Sequence, residues 1–407
     1  MINGDWSSDV CSSDLLSFLL TAAICDNWAV IYTGSRSFGN YRHTADSFYQ
    51  YHLLIQNGFD KEKIILMNYD DIVDSYSNKF KGHIYRTLTH VPDVYPGSAN
   101  IDYTGKTVTA ANFYKVLTGD ATAGGKVLKS TENDNVFVFF DDHGGNGILG
   151  VPEGCGGYIY ANDLKKTFKT MADKKMFGKL FFPITACYAG SVAKYLDDIP
   201  NMYVMTASND HESSWGDLYD NSLGTCLTSE YSLIKDQFQE QYPEGTLEEM
   251  FKYCVANVKQ SHVCEYGDKS LKTMKISDFV LHAPTAKKSV NKASSIIKID
   301  ETRGIIEQAK LASVNKAYFN VLSTAEKISS HQVDSIINNL KAKFMPVDAD
   351  LTESTEIKDW DAYKKVLTAM QEKVQNLGES FYAKTFFFSN LINHADADKI
   401  VEEIKNF

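Results

Sequence analysis

The stretch Val136 to Gly147, Val-Phe-Val-Phe-Phe-Asp-Asp-His-Gly-Gly-Asn-Gly, constrains the fold of this chain more than any other. Its first five residues are β-branched or aromatic and suit a strand buried on both faces; the run then breaks into acid, His and glycine. Such a strand carries His143 at its C-terminal tip. Leu180 to Ala186, Leu-Phe-Phe-Pro-Ile-Thr-Ala, followed by Cys187-Tyr-Ala-Gly-Ser191, repeats the design with a thiol. In open parallel α/β sheets reacting groups collect beyond the carboxyl ends of strands, so His143 and Cys187 can meet there as a Cys/His dyad. Taken singly, a buried His or Cys is more often inert packing. The paired pattern favours the dyad, because both residues precede small residues that leave space and expose backbone N–H groups.

Strand and helix patterns alternate around these two stretches. Trp28 to Thr33 and Ile64 to Met67 read as strands, separated by a polar loop at 35–43 and a helix from Thr44 that Gly58 closes. A strand, helix and strand in so short a span form a right-handed crossover unit. Residues 75–105 read as a long loop bordering the strand tips. Helices are expected over 108–117, 163–171 and 191–196, with a glycine-rich turn at 144–157 and a further strand at 201–207. Thr246-Leu-Glu-Glu249 has capping-box spacing and starts another helix. The expected fold class is a three-layer α/β/α sandwich with a mainly parallel sheet.

The chain has 407 residues, more than one ordinary core, so two domains are expected. Of the 25 glycines only Gly304 and Gly378 lie beyond Ala283, and helix formers dominate there. The division is a leader at 1–25, a sandwich domain at 26–282, a lysine- and serine-bearing linker at 283–299 and an all-helical domain at 300–407. Residues 1–14 repeat Ser-Ser-Asp and read as no natural start, whereas Leu15 to Cys25 reads as the end of a secretory signal peptide. A product of the secretory pathway follows, lysosomal, vacuolar or extracellular. No later segment approaches the ~20 apolar residues of a membrane span. The net charge of −11 argues against general nucleic-acid binding. Gly144 to Gly147 is too short for a phosphate loop, and no His/Cys spacing suits zinc, so neither cofactor nor metal is expected. Outside the leader, Cys187 stays free if it reacts, and Cys155, Cys226, Cys254 and Cys264 have no pairing that sequence decides.

From Asn27 to Phe279 the chain resembles legumain, the asparaginyl endopeptidase family of caspase-like fold. The resemblance rests on Asn27-Trp-Ala-Val, Asn40-Tyr-Arg-His43, Met67 to Asp71, Asp102-Tyr-Thr-Gly105, Lys126 to Ser130, Asp142-His-Gly144, Ala186-Cys187 with Gly190-Ser191, and Glu212-Ser-Ser214. It implies that Cys187 is the nucleophile, His143 its acid/base partner, Asn40 the group orienting His143, and the backbone N–H groups of Cys187 and Gly144 the oxyanion donors. It also implies peptide or protein substrates, and an inhibitory role for the chain's own helical domain, released by acid, with Asn291 a candidate cleavage point. Arg42, His43, Thr185, Ser213, Ser214 and Ser229 would line the substrate pocket. Family members place carboxylates where this chain has Thr185 and Ser229, so a pocket built on Arg42 is expected to accept Asp at least as well as Asn. The runner-up is that Glu230 turns into the pocket and restores Asn preference. Three other readings stay open: a membrane-bound transamidase of the same clan that attaches lipid anchors, a member with peptide ligase activity, and a non-catalytic binding module.

Overall fold

A computed structural model describes residues 26–282, 324–346, 356–374 and 377–407. The leader at 1–25, the linker with Asn291 and the start of the helical domain lie outside the described residues. The central sheet has six strands: β1 (Asn27–Thr33), β2 (Ile64–Met67), β3 (Asn135–Asp141), β7 (Lys179–Thr185), β8 (Met202–Thr206) and β11 (Cys264–Gly267). Their order is β11-β8-β7-β3-β1-β2, all parallel except β11. Because strand side chains alternate between faces, Val136, Val138 and Phe140 of β3 point to one layer and Phe137 and Phe139 to the other. The first layer contains α2 (Ala110–Leu117), α3 (Ala161–Asp173) and α4 (Gly190–Ala193); the second contains α1 (Tyr41–Gln56), α5 (Glu230–Gln241), α6 (Leu247–Asn257) and α7 (Ser277–Val280). The capping box at Thr246 and Glu249 forms as its spacing predicts.

The local structure departs from the sequence reading, or adds to it, at four places. The helix after β1 begins at Tyr41 and not at Thr44, so Arg42 and His43 stand on its first turn. Asn40 occupies the cap position but makes no cap hydrogen bond, because its side chain is engaged elsewhere. The glycine-rich turn contains a small antiparallel sheet of β4 (Gly144–Gly145), β5 (Ile148–Leu149) and β6 (Ile159–Tyr160). A hairpin of β9 (Gly216–Asp220) and β10 (Thr225–Ser229) precedes α5, where the sequence shows no alternation.

The described C-terminal residues form α8 (Thr324–Phe344), α9 (Trp360–Lys373), α10 (Glu379–Ala383), α11 (Thr385–Leu391) and α12 (Ala397–Asn406). Their apolar core takes in Ile148, Tyr158 and Tyr160 from the sandwich, so the two halves share buried surface. At its centre Asn146 receives Tyr363 Oη–H on its carbonyl (2.7 Å), donates its backbone N–H to Thr385 Oγ1 (2.8 Å) and its amide to Ser389 Oγ (2.8 Å).

Under α1 and α5 lies a buried charged network. Arg86 sits 2.6 Å from Asp46 Oδ1 and 2.8 Å from Asp236 Oδ2, and Asp46 also accepts from Thr228 Oγ1 (2.6 Å) and the Ser229 N–H (2.7 Å). The buried Lys235 donates to Gln50 (2.5 Å) and contacts Asp236. Removing one member of such a network strands the other charges in a low-dielectric interior. Arg86→Met is therefore expected to cost about 3–5 kcal/mol, read as a lower denaturant midpoint; an unchanged midpoint would show that water reaches the network.

Candidate active site

The register of the sheet sets the geometry of the site. Asp141 at the end of β3 pairs with Thr185 at the end of β7, and the Asp142 N–H donates to Thr185 O (3.0 Å). Both strands therefore stop at one level, and the chain beyond them delivers His143 and Cys187 side by side. The backbone of Gly144 passes so close that a Cβ there would lie 2.3 Å from Cys187 O. Tyr188 turns the chain at φ 54°, a strained conformation for a bulky residue, and its N–H is held by Glu212 O (2.8 Å).

The amide of Asn40 fixes the tautomer of His143. Asn40 Nδ2 donates to Arg36 O (2.7 Å), which leaves Oδ1 facing His143 Nε2 at 2.8 Å. Oδ1 can only accept, so Nε2 carries the proton and Nδ1 presents a lone pair. Buried Nδ1 has no hydrogen-bond partner; the carboxylate of Glu379, on α10, stands 3.8 Å away. The Cys187 thiol donates to Ser214 O (3.4 Å), with Ser214 Oγ at 3.9 Å. Burial and then the Glu379 charge push this thiol up, against the opposing pull of Ser214 and Arg42. Ionisation of Cys187 is thus disfavoured in the intact chain.

His143 and Cys187 are 7% and 8% exposed, so they do not face solvent as a strand tip would suggest; α10 covers them. The Tyr382 ring lies 5.5 Å from the His143 ring and Phe386 packs edge-on against Tyr188 at 4.8 Å. The Arg42 guanidinium, 8% exposed, reaches Glu379 at 3.5 Å. His43 Nδ1 is 2.6 Å from Asp141 Oδ1 and its ring meets His143 edge-on at 4.9 Å. Thr185 Oγ1 exchanges a hydrogen bond with Ser232 Oγ (2.8 Å), which donates to Asp141 Oδ2 (2.9 Å). Ser229 is held through its backbone by Asp46, with its hydroxyl buried and unpartnered. Ser213 lies beside the Tyr188 hydroxyl.

Glu230 does not enter this pocket: it accepts the Lys259 and Gln260 N–H groups (2.9 and 3.2 Å). Sequence reading missed Glu379, Asp141 and Cys226. A Cβ on Gly216 would lie 3.1 Å from Cys226 Sγ and 3.2 Å from Arg42 Cδ, so this glycine and thiol flank the Arg42 stem. Ser191, noted only within a motif, clamps the glycine loop by accepting from Gly147 N–H (2.9 Å) and donating to Gly145 O (3.1 Å).

A thiol and an oriented imidazole at adjacent parallel strand ends, beside a buried guanidinium, define a domain of the cysteine-peptidase class. The Peptidase C13 family profile matches residues 27–288, and the chain belongs to that family. Mouse legumain is 41% identical over 260 residues, 62% of this chain and 59% of that one. The hemoglobinase of Schistosoma japonicum is 39% identical over 256 residues, 62% of this chain and 59% of that one. The chain thus spans about three fifths of the length of these relatives. The vacuolar-processing enzyme beta-isozyme of Arabidopsis thaliana is 30% identical over 422 residues, 92% of this chain and 84% of that one, a match that includes the helical half. Caspase-1 of Spodoptera frugiperda overlaps at a TM-score of 0.38 with 11% identity, over 65% of this chain and 92% of that one. At that score the overlap carries no argument. Strand order and the two flanking helical layers make residues 26–282 a three-layer α/β/α sandwich.

Removing the negative charge of Glu379 favours the Cys187 thiolate. Glu379→Gln is expected to raise the alkylation rate of Cys187 at neutral pH several-fold; peptide mass spectrometry separates it from the half-buried Cys155 and Cys264. An unchanged rate would mean that burial alone sets the thiol.

Proposed function

We propose that this chain is a legumain-like cysteine endopeptidase, latent while its helical half is in place, that cleaves after Asp at least as readily as after Asn. The observation that carries the reading is Glu379, a carboxylate lodged between Arg42 and His143 at 3.5 and 3.8 Å. It stands where a substrate side chain ahead of the scissile bond would sit, and Arg42 holds it by charge.

In the proposed reaction His143 Nδ1 takes the Cys187 proton as sulfur attacks the peptide carbonyl. The backbone N–H groups of Cys187 and Gly144 hold the oxyanion, and His143 then protonates the leaving amine. Water hydrolyses the thioester in a second half-reaction using the same base. Asn40 keeps the imidazole in the required tautomer. Arg42 selects the side chain, with His43, Thr185, Ser213, Ser214 and Ser229 around it. Neither Thr185 nor Ser229 supplies an anion, so an Asp carboxylate gains a charge-assisted contact that a neutral Asn amide lacks. The match to the vacuolar-processing enzyme over 92% of the chain favours this reading over the transamidase, and no described helix is long and apolar enough to cross a membrane.

Matched peptides ending in Asp or Asn test the reading after acid activation, between about pH 4 and pH 7. Asp is expected to be cut at least as fast as Asn at the neutral end, with Cys187→Ala inert and the intact chain nearly so. A strong Asn preference at the neutral end would overturn the assignment of Arg42, and hydrolysis by Cys187→Ala would overturn the dyad.

An acidic compartment suits the fold itself. Burial raises Glu230 to about 7 and Asp70 to about 6, above the ordinary values of roughly 4. Acids raised in this way bind protons more tightly folded than unfolded, so their contribution to stability is full at low pH and is lost as pH rises through about 4–7. Asp220, held near 2 by hydrogen bonds from Ser222 and His90 despite burial, works oppositely but only below about pH 4. The melting temperature is therefore expected to fall from about pH 5 to pH 7, and less steeply in Glu230→Gln. A rise over that interval would show that other groups dominate.

A further inference from the structure

We propose that His43, Asp142 and His143 form a binding site for a divalent transition-metal ion of the zinc class, and that occupancy silences the dyad by taking the lone pair of His143. One ligand atom from each residue lies within 4.8 Å of the others, and all three residues are buried. His43 Nε2, Asp142 Oδ1 and His143 Nδ1 are each without a hydrogen-bond partner. Unsatisfied acceptors on three neighbouring buried residues are costly, and a shared cation would satisfy them together. Zinc–ligand bonds of about 2.0–2.2 Å need ligand atoms roughly 3.4 Å apart. His43 Nε2 and Asp142 Oδ1 are already at 3.9 Å.

The surrounding hydrogen bonds prepare both imidazoles as ligands. Asp141 Oδ1 lies 2.6 Å from His43 Nδ1, the carboxylate–histidine arrangement that leaves Nε2 as a lone pair when the carboxyl is ionised, and Ser232 donates to its other oxygen. Asn40 does the same for His143 from Nε2, leaving Nδ1. Asp142 is fixed by packing: a Cβ at Gly150 would lie 1.9 Å from its Oδ2, and one at Gly34 would lie 2.6 Å from it. Oδ1 is left toward His43. Of the charges around the cluster, Arg42 opposes a cation and Asp141, Asp142 and Glu379 favour it, a formal excess of two negative charges when all are ionised. The donor set of two imidazoles and one carboxylate matches zinc, and softer ions of the same series compete by availability. His43 stands about a hundred positions before the adjacent Asp142 and His143, which is why no ligand spacing reveals the set.

The site is read without reference to turnover. A full-length chain carrying Cys187→Ser, so that the thiol cannot serve as ligand, is titrated with Zn2+ against a chromophoric chelator. One tight equivalent is expected, weakened at least tenfold in His43→Ala, Asp142→Asn and His143→Ala. X-ray absorption of the zinc-loaded unmutated chain, which needs no folded variant, is expected to show nitrogen and oxygen neighbours with imidazole scattering and no sulfur. Equal binding by the three variants, absence of a tight equivalent in Cys187→Ser, or a sulfur neighbour would each overturn the site. In the acid-activated chain zinc is then expected to suppress peptide cleavage at the measured affinity, with chelator restoring it. A chain that binds zinc yet never cleaves refutes the peptidase reading and leaves the site standing; a chain that cleaves undisturbed with the site filled refutes the silencing.

Discussion

Everything at the active site depends on the parallel registration of β3 between β1 and β7. Asp141 is opposite both Thr33 and Thr185, so three strands end level and the loops beyond them share one small volume. A slip of one residue would exchange the faces of Phe137 and Val138 as well as displace His143, so the packing of the two layers and the position of the imidazole are specified by the same contacts. The aromatic content of β3 adds weight to this. Phe137, Phe139 and Phe140 are fully buried and their neighbours on β7 are the equally buried Phe181 and Ile184.

The hold of the helical half over the site has two unlike components. Around Asn146 the contacts are uncharged: Tyr363, Thr385 and Ser389 complete the hydrogen bonds of a loop whose neighbours are Ile148, Tyr158 and Tyr160. At the edges sit ion pairs, Arg42 with Glu379 and Asp163 with Lys364 at 2.6 Å. Protonation of carboxylates weakens only the second component. On the proposed reading, acid would loosen the covering over Cys187 while the apolar seat persists, so that unblocking of the site and departure of the helices would be separate events.

Much of the fold was legible because β3, β7 and β8 are apolar on both faces and end abruptly in polar, functional residues, a pattern local to each segment. The placing of His143 and Cys187 just beyond adjacent strand ends was legible for the same reason. The β9–β10 hairpin and α5 were not, since Gly216 to Asp220 is half-exposed and unpatterned, and the buried face of α5 includes Glu230, Lys235 and Asp236. A helix that buries charge looks solvated until its partners are known, and here these are Gln50 on α1 and Arg86 in the loop beyond β2. Glu379 was invisible on the same ground: nothing in Gly378-Glu379-Ser380 signals that the residue faces Arg42, some 340 positions earlier. Asn40 shows the reverse case, a residue whose ordinary role as a helix cap is given up for a bond to His143.

Gly144 and Gly145 are neighbours in one short strand, yet they are required by different bodies. A side chain at 144 would strike the backbone of Cys187 at 2.3 Å, an obstacle present in every state of the molecule. At 145 the obstacles are Thr385 Oγ1 at 2.5 Å and Tyr382 O at 2.8 Å, both belonging to the helical half. Once that half has gone, position 145 has lost these obstacles. The sandwich therefore carries within its own sequence an imprint of its covering.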